Sequence, residues 1–108
     1  MAVTEEQIAA ALDLFDQIGP LTTRKMFGGL AIYSEGTIFA ILMSDGQLKL
    51  KGAGDMADTF DAEGWERWTY QRENSDKVAA MPYWSVPDAL LDDPEEASDW
   101  ARRALAAL

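Results

Sequence analysis

The sequence predicts a two-layer α+β domain, ordered α-β-β-β-α-β-β-α, with a largely antiparallel five-stranded sheet. Three observations carry that expectation. Apolar residues recur at helical spacing near both ends of the chain, three apolar runs in its middle are separated by glycine-ended turns, and an aromatic hairpin follows a short acidic helix. A chain of 108 residues accommodates one domain with a real core, taken as 1–108, and not two ordinary ones.

The first helix is announced by several agreeing signals. Thr4 and Gln7 have capping-box spacing, Val3 and Ile8 are placed as a hydrophobic staple, and Glu5 and Glu6 suit the positive end of the dipole. Ile8, Ala11, Leu12, Phe15 and Ile18 then form one apolar stripe, which Gly19-Pro20 stops. A β-meander follows the Thr22 to Tyr33 stretch, with strands expected at Leu30 to Ser34, Thr37 to Met43 and Gln47 to Lys51. Their turns, Ser34-Glu35-Gly36 and Ser44-Asp45-Gly46, both end in glycine. The middle strand is apolar on both faces from Ile38 to Met43, so it wants cover on both.

Asp55 opens a short acidic helix with Met56, Ala57 and Phe60 inward and Gly64 as its stop. Trp68 and Tyr70 share one face of the next strand, Glu73-Asn74-Ser75-Asp76 makes the turn, and Val78 to Met81 returns. Pro82 to Pro87 reads as an extended aromatic connection, because each proline disfavours helix in the residue before it. In the last helix Asp93 caps, Pro94 takes the first position, and Glu96 completes a capping-box-like arrangement. Ala97, Trp100, Ala101, Ala104 and Leu108 are its expected inner stripe.

Composition excludes several kinds of chemistry. The chain contains no cysteine and no histidine, which removes disulfides, thiolate nucleophiles, imidazole bases and Ser-His-Asp triads. The N-terminus has neither a basic region nor a long apolar run, and the longest apolar run is far short of a membrane span, so a soluble cytoplasmic protein is expected. The net charge of −10 is unevenly spread: the expected helices are acidic, whereas residues 21–54, which hold the meander, carry +2. The overall field disfavours non-specific binding to a polyanion.

The candidate chemical motifs are weak. Gly52-Ala53-Gly54-Asp55-Met56-Ala57 spells G-x-G-x-x-A after a strand and before a helix. That strand belongs to a meander, however, and the dinucleotide fingerprint needs a buried parallel strand. Asp92-Asp93 and Glu95-Glu96 are accounted for by helix capping and solvation. A Ser–Lys pair is chemically open, but no spacing suggests one. Trp68, Tyr70, Tyr83 and Trp84, interleaved with Arg67 and Arg72, suit either a stacking platform or the core; core is favoured, with Trp84 the one expected to be partly exposed. No cofactor, metal or catalytic residue is expected.

Arg24-Lys25-Met26-Phe27-Gly28-Gly29 resembles the R-x-M-F-G-G signature of the TfoX/Sxy family N-terminal domain. Ile32-Tyr33, Gly36, Phe39-Ala40, Leu48 to Lys51, Phe60, Tyr70, Met81-Pro82-Tyr83-Trp84, Pro87, Asp93-Pro94-Glu95 and Trp100-Ala101 follow in the family's order, so the resemblance spans about residues 20 to 104. It implies a fold like that of type III secretion chaperones. It also implies a link to natural competence, in which family regulators act as transcription co-activators alongside a cyclic-AMP receptor protein. Those regulators carry a second, C-terminal domain, whereas this sequence stops at Leu108, and Leu30-Ala31 replaces a glycine often found after the Gly-Gly pair. A stand-alone domain that keeps the fold is the expectation.

The resulting functional expectation is a non-enzymatic protein-interaction or regulatory module that meets a protein partner or a second copy through the sheet, homodimerisation through its outer face being the favoured version. Arg24, Lys25, Lys49, Lys51 and Trp84 are the candidate contacts. Met26, Phe27, Gly28, Gly29, Pro82 and Tyr83 are family-motif residues read as mainly structural, the first two anchoring the crossing into the sheet and the glycines permitting it. The alternatives are a nucleic-acid-binding module using the basic strands and a small-molecule binder near Met26, Phe27 and Trp84.

Overall fold

The computed structural model describes residues 3–26, 28–71 and 78–108. Three α-helices, α1 (Glu5–Leu14), α2 (Asp55–Ala62) and α3 (Pro94–Ala106), lie over a six-stranded sheet. The strands are β1 (Leu21–Met26), β2 (Gly29–Ser34), β3 (Thr37–Leu42), β4 (Leu48–Lys51), β5 (Arg67–Gln71) and β6 (Val78–Ser85), in the order β1-β2-β3-β4-β6-β5. Every pairing is antiparallel. The α+β expectation holds with one strand more than predicted. The extra strand is β1, the Arg24-Lys25 stretch itself, which pairs along its whole length with β2.

The cap predicted for α1 is present: Thr4 Oγ1 accepts from the Gln7 amide at 3.1 Å, and the Thr4 amide donates to Gln7 Oε1 at 2.9 Å. A short 3₁₀ turn, Asp16–Ile18, continues α1 before Gly19. In α3 the Asp93 side chain accepts from the Glu96 amide at 3.1 Å. Its buried stripe is Ala97, Ser98, Ala101 and Ala104; Leu108, expected inside, is exposed because the helix ends at Ala106. These small residues let α3 approach α1 closely, and the Ser98 hydroxyl donates to the Leu14 carbonyl at 3.1 Å.

One row of directly paired residues crosses all six strands on the helix side: Thr23, Ile32, Ala40, Leu50, Trp84 and Arg67. Its middle members join Leu30, Phe39, Leu42 and Leu48 in the core with residues from all three helices. A register shift in the β2–β3 pairing, between Ile32 and Tyr33, lets Phe39 and Ala40 both face that core. The double apolarity of the middle strand is therefore largely absorbed on one side.

The aromatic connection expected over Pro82 to Pro87 is instead largely strand. β6 runs through Pro82 to Ser85 and is flanked by β4 and β5. Three residues, Met81 to Tyr83, stand opposite Trp68 where the β5–β6 register shifts, so Pro82 occupies an irregularity and costs the ladder little. Trp84 is fully buried, which corrects its expected exposure: it sits in a central strand facing the helices. Its ring packs on Phe60 at 5.5 Å, its indole N–H donates to Asp61 Oδ1 at 2.8 Å, and the Arg67 guanidinium lies 4.5 Å above it. Trp65 and Trp100 extend the cluster through Phe60, at 4.6 and 5.9 Å.

Trp68 and Tyr70 are outside this core. Tyr70 is 53% exposed, and Trp68 is half-buried against Tyr83. Both belong to β5, an edge strand, where few neighbours can cover a side chain. The predicted turn at residues 73–76, Arg72 and the motif residue Phe27 lie outside the described residues.

Candidate functional site

Register, not sequence proximity, assembles the face of the sheet opposite the helices. Successive pairings place Arg24, Ala31, Ile41, Lys49 and Ser85 in one row across five strands. Tyr33 and Ile38 pair beside this row, as do Lys51 and Tyr83. Directly paired residues share a face, so Arg24, Lys49 and Lys51 all lie on the outer face, with β2 and β3 between Arg24 and the two lysines. Lys25 is one residue out of phase and turns to the helix side beside Leu30, and Trp84 is inside the core. Three of the five candidate contacts are thus united and two are not.

Lys49 is the centre of this face. Only 6% exposed, it donates to Ser85 Oγ at 2.8 Å and to Gln47 Oε1 at 3.0 Å, and the Ser85 hydroxyl also reaches Gln47 Oε1 at 3.3 Å. Burial pushes the Lys49 ammonium below its ordinary pKa, while the nearby carboxylates of Asp45 and Glu66 pull it back up. Burial also raises the Tyr83 hydroxyl above its ordinary value, helped by the neighbouring Tyr33. Ile41 and Ala31 are almost fully buried within the single chain. The apolar part of this face is therefore already covered, and what it presents is charged and aromatic: Arg24, Lys51, Tyr33 and Trp68, with the Asp45 and Glu66 carboxylates near Lys49.

The Lys49–Ser85 contact joins residues 36 apart in sequence, and no spacing rule could have found it. It resembles a Ser–Lys dyad by residue type. The Gln47 oxygen and the carboxylates of Asp45 and Glu66 favour the ammonium, whereas burial, the larger effect on Lys49, works against it.

The glycines of the motif have distinct work. Gly28 lies at φ 75°, a left-handed conformation that closes the β1–β2 turn, and a Cβ on Gly29 would run into the Leu42 carbonyl. Gly52, the first glycine of the dinucleotide-like run, is packed under Trp84 and Phe60. That run is a packing feature of the core.

The sequence profile described as the TfoX N-terminal domain matches residues 13–108. The chain belongs to the TfoX N-terminal domain family. The DNA transformation protein TfoX1 of Aliivibrio fischeri is 29% identical over 93 residues, covering 80% of this chain and 43% of its own length. The chain spans less than half of that relative. In this TfoX N-terminal domain, the described part of the family signature forms β1, its exit turn and the start of β2, with Arg24 on the outer face and Lys25 on the inner. Pro82 and Tyr83 of the second motif lie in β6, where Tyr83 packs against Trp68 with ring centroids 6.1 Å apart.

Proposed function

We propose that this TfoX N-terminal domain is a non-enzymatic regulatory module of DNA transformation, acting in the cytoplasm by docking an acidic partner protein on the outer face of its sheet. One observation carries the reading: a chain of net charge −10 gathers Arg24, Lys49 and Lys51 on the one sheet face that the helices leave uncovered. Positive charge spread along one face in this way steers a complementary surface. The name of the Aliivibrio fischeri relative supplies the process. A second copy docked face to face fits less well, because its own cations would meet these.

The test is genetic and biochemical together. Deleting the coding sequence in its host is expected to lower transformation frequency. Complementation with Arg24→Glu/Lys51→Glu should fail, although the purified variant melts within a few degrees of wild type, as exposed charge changes usually do. Full complementation by the double variant would refute the outer-face reading. A labelled duplex that shifts with wild type at low salt, and not with the variant, would favour direct nucleic-acid binding instead.

A further inference from the structure

The two edges of the sheet are unlike. β5 carries a register irregularity between Arg67 and Thr69, a feature that blunts an edge against further pairing. β1 pairs with β2 at every position from Leu21–Ser34 to Met26–Gly29, without a shift, and Thr22, Thr23, Arg24 and Lys25 are exposed. The pairing closes at Met26 and Gly29 with two residues between. The Met43 amide donates to the Gln47 carbonyl at 2.8 Å, and alternation from that bond through β3 and β2 places the bonded pairs of the β1–β2 ladder at Arg24–Ala31 and Thr22–Tyr33. The amide and carbonyl groups of Thr23 and Lys25 therefore point away from β2. Beside this edge, on the helix side, Val3, Ile8, Lys25, Gly28, Gly29 and Leu30 line a largely apolar cavity of about 170 Å³.

The geometry points to β1 as a docking edge for an extended segment of a partner protein in which apolar and acidic residues alternate. Strand addition draws affinity from backbone hydrogen bonds and specificity from alternate side chains. A strand laid along β1 sends every second side chain to the helix side, where an apolar one meets the cavity. Those between face outward, where an acidic one meets Arg24, whereas Lys25 stands on the helix side at the rim of the cavity. A second copy is a poor occupant. Two-fold pairing of β1 with itself, faces matched, sets Thr23 or Arg24 against its own equivalent and crowds the Arg24 and Lys25 of both copies. The edge shares Arg24 with the outer-face reading but not Lys51, so Lys51→Glu alone should leave peptide binding intact and tells the two apart.

The probe is a short fluorescent peptide of alternating glutamate and leucine, with its lysine–leucine counterpart as control, titrated into the full chain. The glutamate peptide is expected to bind and to weaken as salt rises. Thr23→Pro removes an amide that points away from β2, so it should keep the fold and weaken binding by about tenfold. Arg24→Glu, on the face that the acidic side chains share, should lose the glutamate peptide and gain the lysine one, a result that does not depend on how Thr23→Pro folds. Failure of the glutamate peptide to bind, equal binding of both peptides, or binding indifferent to both substitutions would overturn the proposal. So would a concentration-dependent dimer that Thr23→Pro abolishes, since that result assigns the edge to a second copy.

Discussion

Gly52 shows how one residue can look like chemistry and serve packing. A Cβ there would stand 2.8 Å from Trp84 Cζ3 and 2.9 Å from Phe60 Cδ2, closer than carbon atoms tolerate. Both rings are wedged among other aromatics, so Gly52→Ala is expected to cost about 2 kcal/mol by overpacking, read as a lower urea midpoint at unchanged slope. Lys49 poses a different problem, because its burial is a cost partly offset by Gln47, Ser85 and the carboxylates of Asp45 and Glu66. Its folded pKa lies below the ordinary 10.5, so in the window between them the unfolded chain binds more protons. Stability contributed through Lys49 should therefore rise with pH across that window. Lys49→Met removes this dependence, and the wild-type minus variant difference in unfolding free energy should climb with pH there; a flat difference would show that Lys49 is not desolvated. Tyr83 titrates in the same alkaline range but is common to both proteins and cancels to first order.

At the scale of elements, local signals were read well and non-local ones were not. The α1 cap is a matter of neighbours, and Thr4→Ala should lower stability by about 1 kcal/mol, with loss of early-turn amide protection measured by hydrogen exchange. β1 escaped the sequence because Thr22, Thr23, Arg24 and Lys25 show no apolar alternation; an edge strand with exposed residues has nothing to alternate against. β6 was misread for a related reason. Prolines at 82 and 87 argue for irregular chain, yet the register shift opposite Trp68 gives Pro82 a place where a ladder amide is not missed. That reassignment carries Trp84 from a supposed surface position to the middle of the core.

Across the whole molecule, charge is layered. The acids of α1, α2 and α3 lie on the helix side, whereas the outer face carries Arg24, Lys49 and Lys51, with the Asp45 and Glu66 carboxylates near Lys49. Self-repulsion in the acidic layer should make stability depend on ionic strength. Raising NaCl from about 10 mM to about 200 mM is expected to raise the melting temperature by a few degrees, as the screening length falls below the spacing of those helices. A melting temperature that falls with salt would mean that attraction between the layers outweighs repulsion within one.

The sequence by itself determined the helices and their caps, the meander, the acidic balance and the family, because each rests on residues a few positions apart or on a motif read in order. The signature around Gly28 and Gly29 named the family without revealing what its cations face. Only the tertiary structure decided that Arg24 lies with Lys49 and Lys51 while Lys25 turns the other way, that Ser85 meets Lys49, and that Trp84 is sealed under Arg67. The physical reason is register. A one-residue step along a strand reverses the face of a side chain, and the partners that fix the step arrive from strands as distant as β4 and β6.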